Sequence, residues 1–224
     1  MTRAGNAIYN GPEDLPGVVP LFPLAGALLL PRGTIPLNIF EPRYLAMIEA
    51  TMQSDRLVGL VQPLDKEPLG PKPPLHPVGG LGRIIQYAEI GDGRLVVTLV
   101  GIARFRIADE IDGPAPYRSA RIDTRSFASD FIVGVGEDSV DRKELLSTFR
   151  AFVDAHDLQV DWDSIDRASN EALVNSLSMM SPYGAGEKQA LLEAASLKER
   201  AEILVAVTEL ALSGGSGSRR SPLQ

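Results

Sequence analysis

Cysteine is absent from the 224 residues, and with it disulfides, thiol catalysis and thiolate metal sites are excluded. Positive charge is the minority sign. Lys and Arg number 22 against 29 Asp and Glu, a formal net charge of -7, and an acidic surface repels phosphate backbones, which argues against a nucleic-acid partner. No apolar run is long enough to span a bilayer, and the opening Met1-Thr2-Arg3-Ala4-Gly5-Asn6 lacks the apolar core of a signal peptide. The expectation is a cytoplasmic protein with no membrane partner.

Local catalytic signatures are missing as well. Neither G-x-x-x-x-G-K-[ST], G-x-S-x-G nor H-E-x-x-H occurs. Gly184-Ala185-Gly186-Glu187-Lys188-Gln189 has the wrong glycine spacing for a phosphate loop and reads as the first turn of a helix. The two histidines, His76 and His156, fall in different segments. Acidic residues crowd around His156, namely Asp154, Asp157, Asp161, Asp163 and Asp166. Counted from Asp161, the sixth and twelfth positions are Asp166 and Ala172 where a calcium loop needs Gly and Glu. Helix caps and solvated helix ends account for these aspartates. No cofactor and no metal ligand is expected.

What is present begins with Val18-Val19-Pro20-Leu21-Phe22-Pro23-Leu24, Leu28-Leu29-Leu30-Pro31 and Ile35-Pro36-Leu37-Asn38-Ile39-Phe40-Glu41-Pro42-Arg43-Tyr44-Leu45. Proline cannot donate to a strand ladder, so these short apolar runs read as bent or edge strands. Proline also favours the first helical position, and Leu45, Ile48 and Met52 follow at helical spacing, so a helix starts at Pro42. Leu57-Val58-Gly59-Leu60-Val61 is a short strand, closed by Pro63. Residues 62–80 form a proline-stiffened loop.

The strongest β signal follows. Residues 81–90 and 94–100 are β-branched runs joined by Gly91-Asp92-Gly93, and glycine supplies the positive φ that a hairpin turn needs. Gly101 marks a bend or bulge, after which Arg104-Phe105-Arg106-Ile107 alternates, with both arginines expected on the face opposite Phe105 and Ile107. Residues 117–123 resume the alternation. Many short strands with one helix suggest a small antiparallel barrel.

After about residue 126 the period turns helical. Asp130-Phe131-Ile132-Val133-Gly134-Val135-Gly136 fits a last strand, a packed linker or an exposed docking strip. Leu145, Leu146, Phe149, Phe152 and Val153 mark one helix face; Leu173, Val174, Leu177 and Met180 mark another. Trp162, the one tryptophan, is expected to pack. Ser196-Leu197-Lys198-Glu199 matches a capping box and opens a last helix. Residues 1–17 are expected to form a loose arm, 18–128 the barrel, 129–212 a helical bundle and 213–224 a flexible tail.

Several of these motifs, in this order, resemble the Lon protease N-terminal (substrate-binding) domain family. The resemblance rests on V-P-L-F-P-L at 19–24 and L-P-x-G-x-x-P-L-x-I-F-E-P-R-Y at 30–44. It extends to the G-x-x-x-x-I, D-G-R and G-x-x-R-F elements within 80–107, to E-K-Q-A-L-L-E at 187–193 and to L-K-E-R-A at 197–201, covering about residues 18–212. It implies an α+β fold, a PUA-like β-barrel followed by a helical bundle, and a role in recognising unfolded or tagged proteins for an ATP-dependent protease. The ATPase and the Ser-Lys peptidase modules of Lon have no counterpart in the sequence, so their activities do not carry over. The chain resembles the standalone bacterial members, which take the label peptidase S16 by homology alone.

The function expected on this basis is non-enzymatic binding of unfolded or extended polypeptides, as an adaptor or chaperone-like factor partnered with Lon or another protease. Phe22, Phe40, Tyr44 and Leu75 are the expected peptide contacts, by strand addition or in a groove. Glu41, Pro42 and Arg43 are expected to fix the junction between barrel and helix. The alternatives are an enzyme with a scattered site, and RNA binding if Arg83, Arg94, Arg104 and Arg106 gather on one face. Oligomeric state is left open.

Overall fold

The computed structural model describes residues 1–64 and 72–215. Eight strands run in chain order: β1 (Thr2–Ala4), β2 (Ala7–Tyr9), β3 (Val18–Pro23), β4 (Thr34–Ile39), β5 (Leu57–Val61), β6 (Val78–Ile90), β7 (Arg94–Ile111) and β8 (Arg118–Asp123). Helix α1 (Pro42–Met52) lies between β4 and β5, and α2 (Arg142–Ala155), α3 (Trp162–Arg167), α4 (Asn170–Met180), α5 (Ala185–Glu193) and α6 (Leu197–Gly215) follow the sheet.

The main sheet has the order β4-β7-β6-β5-β3-β8, and β8 pairs again with β7, so five strands close into a ring, with β4 paired along the first half of β7 where β8 does not reach. The sheet is mixed, against the expectation of an antiparallel one: β3 runs parallel to β5, with Leu21 opposite Gly59 and Phe22 opposite Leu60. Two parallel neighbours need a long crossover, and here β4 and α1 supply it. The protein is therefore α+β, with a ring of strands and a set of packed helices.

The hairpin turn forms as its glycines indicate: Asp92 and Gly93 take φ of 69° and 76°. The third strand expected after Gly101 is instead a continuation of β7 through a register shift, since Leu81 pairs with Ala103 while Gly82 pairs with Gly101. Residues 2–9, expected to be loose, form the β1–β2 hairpin, pinned by buried Thr2, Ala4 and Tyr9. Part of the proline-rich loop, 65–71, and most of the expected tail, 216–224, lie outside the described residues.

Three apolar clusters hold the molecule together. One fills the ring, around Leu21, Leu81, Ile102, Phe105 and Phe131. A second packs α1 against the sheet through Phe22, Ile39, Tyr44, Met47 and Ile48. The third joins the helices through Leu145, Val174, Leu191, Leu197 and Leu204. The Leu28-Leu29-Leu30 run divides itself between two of them, Leu28 and Leu30 entering the helical cluster and Leu29 the α1 cluster. Each such burial stabilises by about 1.5–3 kcal/mol, so this run binds ring to helices.

Polar bonds cross the same boundary. Buried Gln62 donates to the Ala185 carbonyl (3.1 Å) and to Gln189 Oε1 (3.0 Å), and Gln189 donates to the Val78 carbonyl (3.1 Å). Arg104 is 3 % exposed, not on a solvent face as alternation suggests, because the helices cover the outside of β7. Its guanidinium binds Asp130 and donates to the carbonyls of Leu192 and Ala194 at the end of α5.

Caps follow the sequence closely. Asp141, Asp161 and Ser169 accept from the N–H groups of Glu144, Ser164 and Ala172. At α6, Ser196 Oγ accepts the Glu199 N–H, and Glu199 returns to the Ala195 N–H, one residue earlier than a strict capping box. No helix among the described residues is long and apolar enough to cross a membrane.

Candidate functional site

The four expected peptide contacts do not form one surface. Phe22 on β3 and Tyr44 on α1 meet edge to face, ring centroids 4.3 Å apart, and both are buried. Burial raises the Tyr44 phenol above its usual range, partly opposed by the neighbouring Arg43 charge. Leu75 sits where a bridge joins it to Pro63, and packs against the ring cluster. Phe40 alone projects, 64 % exposed.

At the junction, Pro42 occupies the first turn of α1 and Glu41 the capping position, without a side-chain cap bond. Arg43 Nε donates to Glu41 Oε2 at 2.9 Å, and the guanidinium lies 4.5 Å from the Tyr44 ring centroid. Beside them is a small polar cleft of about 210 Å³ lined by Pro23, Arg43, Tyr44, Glu110, Tyr117 and Arg118. Its Arg118 is held by Glu110 and by the Pro73 carbonyl (2.6 Å).

A larger and distinctly apolar groove lies among the helices, with a volume of about 540 Å³. Phe149 and Phe152 of α2 form one wall. Leu173, Leu177 and Met180 of α4 form the other, and Leu158, Val160 and Ile165 close it from the α2–α3 connection and α3. Met180 is 83 % exposed and Leu158 50 %. The helical stripe that includes Met180 is thus split: Leu173 and Val174 face the core, Met179 packs against it, and Met180 turns to the groove. Periodicity marked the residues and could not tell a wall of a groove from a core.

The groove lining carries one charged side chain. It is Asp161, and its carboxyl is held below the usual carboxylate range by the Ser164 hydroxyl and backbone N–H. Asp154, Asp157, Asp163 and Asp166 stand nearby in sequence and are exposed. Trp162 packs edge to face on Phe149, centroids 5.9 Å apart, with the Arg150 guanidinium 3.9 Å from its ring. His156 stacks on Phe152, and its Nδ1 lies 2.9 Å from the Phe152 carbonyl.

The arginines that an RNA reading needs are dispersed. Arg104 is buried on Asp130, Arg94 is paired with Asp92, and Arg83 donates to the Tyr9 hydroxyl and the Asp55 carbonyl. Among the described residues no group of three His, Asp or Glu is placed to hold a metal ion.

The family model of the ATP-dependent protease La (LON) substrate-binding domain matches residues 18–208. The chain belongs to this family. Among curated relatives, the Lon protease of Flavobacterium johnsoniae is 28 % identical over 204 residues, 84 % of this chain and 23 % of that protein. Lon protease 2 of Myxococcus xanthus is 30 % identical over 112 residues, 50 % of this chain and 13 % of that protein. The chain thus spans less than a quarter of the length of these Lon relatives. Among solved structures, the N-terminal domain of Mycobacterium avium complex Lon protease aligns with a TM-score of 0.65 at 18 % identity, over 86 % of this chain and 98 % of that one. A Lon N-terminal domain protein from Xanthomonas campestris aligns with a TM-score of 0.61 at 22 % identity, over 84 % and 97 %. These likenesses establish the Lon N-domain fold, and the family assignment makes residues 18–208 a Lon-type substrate-binding domain.

Proposed function

We propose that the protein is a non-enzymatic polypeptide-recognition module, an adaptor or chaperone-like factor of the cytoplasm that delivers non-native chains to Lon or another protease. The observation that carries this reading is the α2–α4 groove, whose exposed Met180 and Leu158 offer an apolar, adaptable surface. Its occupant is an apolar segment of an unfolded chain. Asp161 in its lining favours a segment that also carries a Lys or Arg, through complementary charge. Phe40 supplies a second exposed apolar contact, while Phe22, Tyr44 and Leu75 act by packing.

Isothermal titration of the intact protein with an unfolded model protein tests the reading. Micromolar binding that Met180→Asp weakens at least tenfold is the expected result. A folded sample that shows no binding at high micromolar concentration overturns it.

A further inference from the structure

A second cavity, of about 260 Å³, opens between the ring and the helices, away from the apolar groove. Three arginines line it, Arg32, Arg104 and Arg200, with two carboxylates, Asp130 and Glu171. Both carboxylates are already engaged: Asp130 by Arg104, and Glu171 by Arg32 and by the Gly134 N–H. The positive charges outnumber them.

Donors are also left over. Arg200 is 4 % exposed; its Nε donates to the Leu191 carbonyl and its Nη1 to Asn175 Oδ1, while Nη2 is buried without a partner. Arg32 Nε is buried and unpartnered too. An unmet buried donor is costly, and an incoming acceptor recovers that cost. Burial, and then the adjacent Arg104 charge, lowers the Arg200 pKa to about 10, with Asp130 and Glu171 opposing.

Helix α6 adds to it. Ala195, Ser196 and Leu197 line the cavity, so the positive end of a 19-residue helix opens there. Ser196 Oγ takes the Glu199 N–H, and the Leu197 and Lys198 N–H groups have no acceptor among the described hydrogen bonds. The mouth is different in kind. Ile132 and Val135 are 56 % and 46 % exposed, which a bare inorganic anion would not use.

We propose that this cavity binds a carboxylate carried on an apolar group, namely the C-terminal residue of a polypeptide ending in an aliphatic side chain. Arg200, Arg32 and the first turn of α6 receive the carboxylate, and Ile132 and Val135 cover the side chain, as in other captures of a chain terminus by clustered backbone and side-chain donors. The proposal rests on the polypeptide-recognition reading and adds to it a site that reads chain ends.

The test is calorimetry on the intact protein with the peptide acetyl-Gly-Ser-Leu-Leu as its free acid and as its C-terminal amide. The free acid is expected to bind at least tenfold more tightly than the amide. Arg200→Gln removes the unpaired donor and is expected to abolish that preference. Should it fail to fold, Ile132→Glu at the exposed mouth serves instead, and is expected to weaken the free acid at least tenfold by like-charge repulsion. Equal binding of acid and amide, no effect of Ile132→Glu, or displacement of the peptide by an equal concentration of inorganic phosphate each overturns the proposal. A peptide that does not bind, beside an unfolded protein that still binds in a Met180-dependent way, overturns the terminus site and leaves the groove reading standing.

Discussion

Arg104 and Asp130 form a closed buried pair: the Arg104 backbone N–H and Nε both donate to Asp130 Oδ2 at 2.9 Å, and Nη2 donates to Oδ1 at 2.8 Å. Nη1 then reaches the carbonyls of Leu192 and Ala194 at 3.1 and 2.5 Å, satisfying acceptors that α5 leaves open at its C-terminal end. One side chain therefore couples the sheet, the turn after β8 and the helices.

Breaking the pair from one side leaves a buried charge uncompensated, which costs about 3–5 kcal/mol. Arg104→Met is expected to lose stability of that order in urea denaturation. The double variant Arg104→Met with Asp130→Leu is expected to recover part of the loss, because no charge is then stranded. A single variant as stable as the parent contradicts the account.

Two phenylalanines of the opening stretch separate packing from exposure. Phe22→Ala removes a ring held between β3 and α1 and is expected to cost about 3–5 kcal/mol. Phe40→Ala removes an exposed ring and is expected to stay within about 0.5 kcal/mol of the parent. Thermal and urea melts of the two variants decide it, and a Phe40 variant as damaged as the Phe22 one removes Phe40 from any contact role.

Local chemistry was readable from the chain, and the placement of one layer on another was not. The Asp92-Gly93 turn, the helix start at Pro42 and the caps at Asp161 and Ser196 depend on a few adjacent residues, and each appears where those residues indicate. The parallel pairing of β3 with β5 depends on a crossover more than thirty residues long, which leaves no local mark. Arg104 alternates as an outward residue, and only the helices docking on that face turn outward into inward. Of the candidate groove, the apolar stripe was legible and its opening was not, since Leu177 and Met180 carry the same apolar code whether they meet a core or a cleft.

The pH dependence of the groove edge follows from Asp161. Its carboxyl caps α3 and titrates below its ordinary 3.8, chiefly because of the bond from the Ser164 hydroxyl. A depressed folded-state pKa gives stability that is complete above the unfolded value and is lost as pH falls through the folded one. Trp162 fluorescence, one residue along, is expected to hold steady from neutral pH down to about 5 and to change below 3.8. Asp161→Asn is expected to flatten that acid-limb change. A transition of unchanged size in the variant would assign it to other carboxylates.

Gly101 tests how the leucine run reaches both cores. A Cβ there would overlap the Leu30 carbonyl, because the Arg32 N–H donates to the Gly101 carbonyl and the Gly101 N–H to the Gly33 carbonyl, both at 2.8 Å. The clash is with backbone that two hydrogen bonds hold in place, so it cannot be relieved by turning a side chain. Gly101→Ala is accordingly expected to cost about 1–3 kcal/mol, whereas Gly91→Ala, with open space around it, stays within about 0.5 kcal/mol. Urea midpoints measure both. If Gly101→Ala proves neutral, the run is free to move off β7, and the tight crossing does not set how ring and helices are joined.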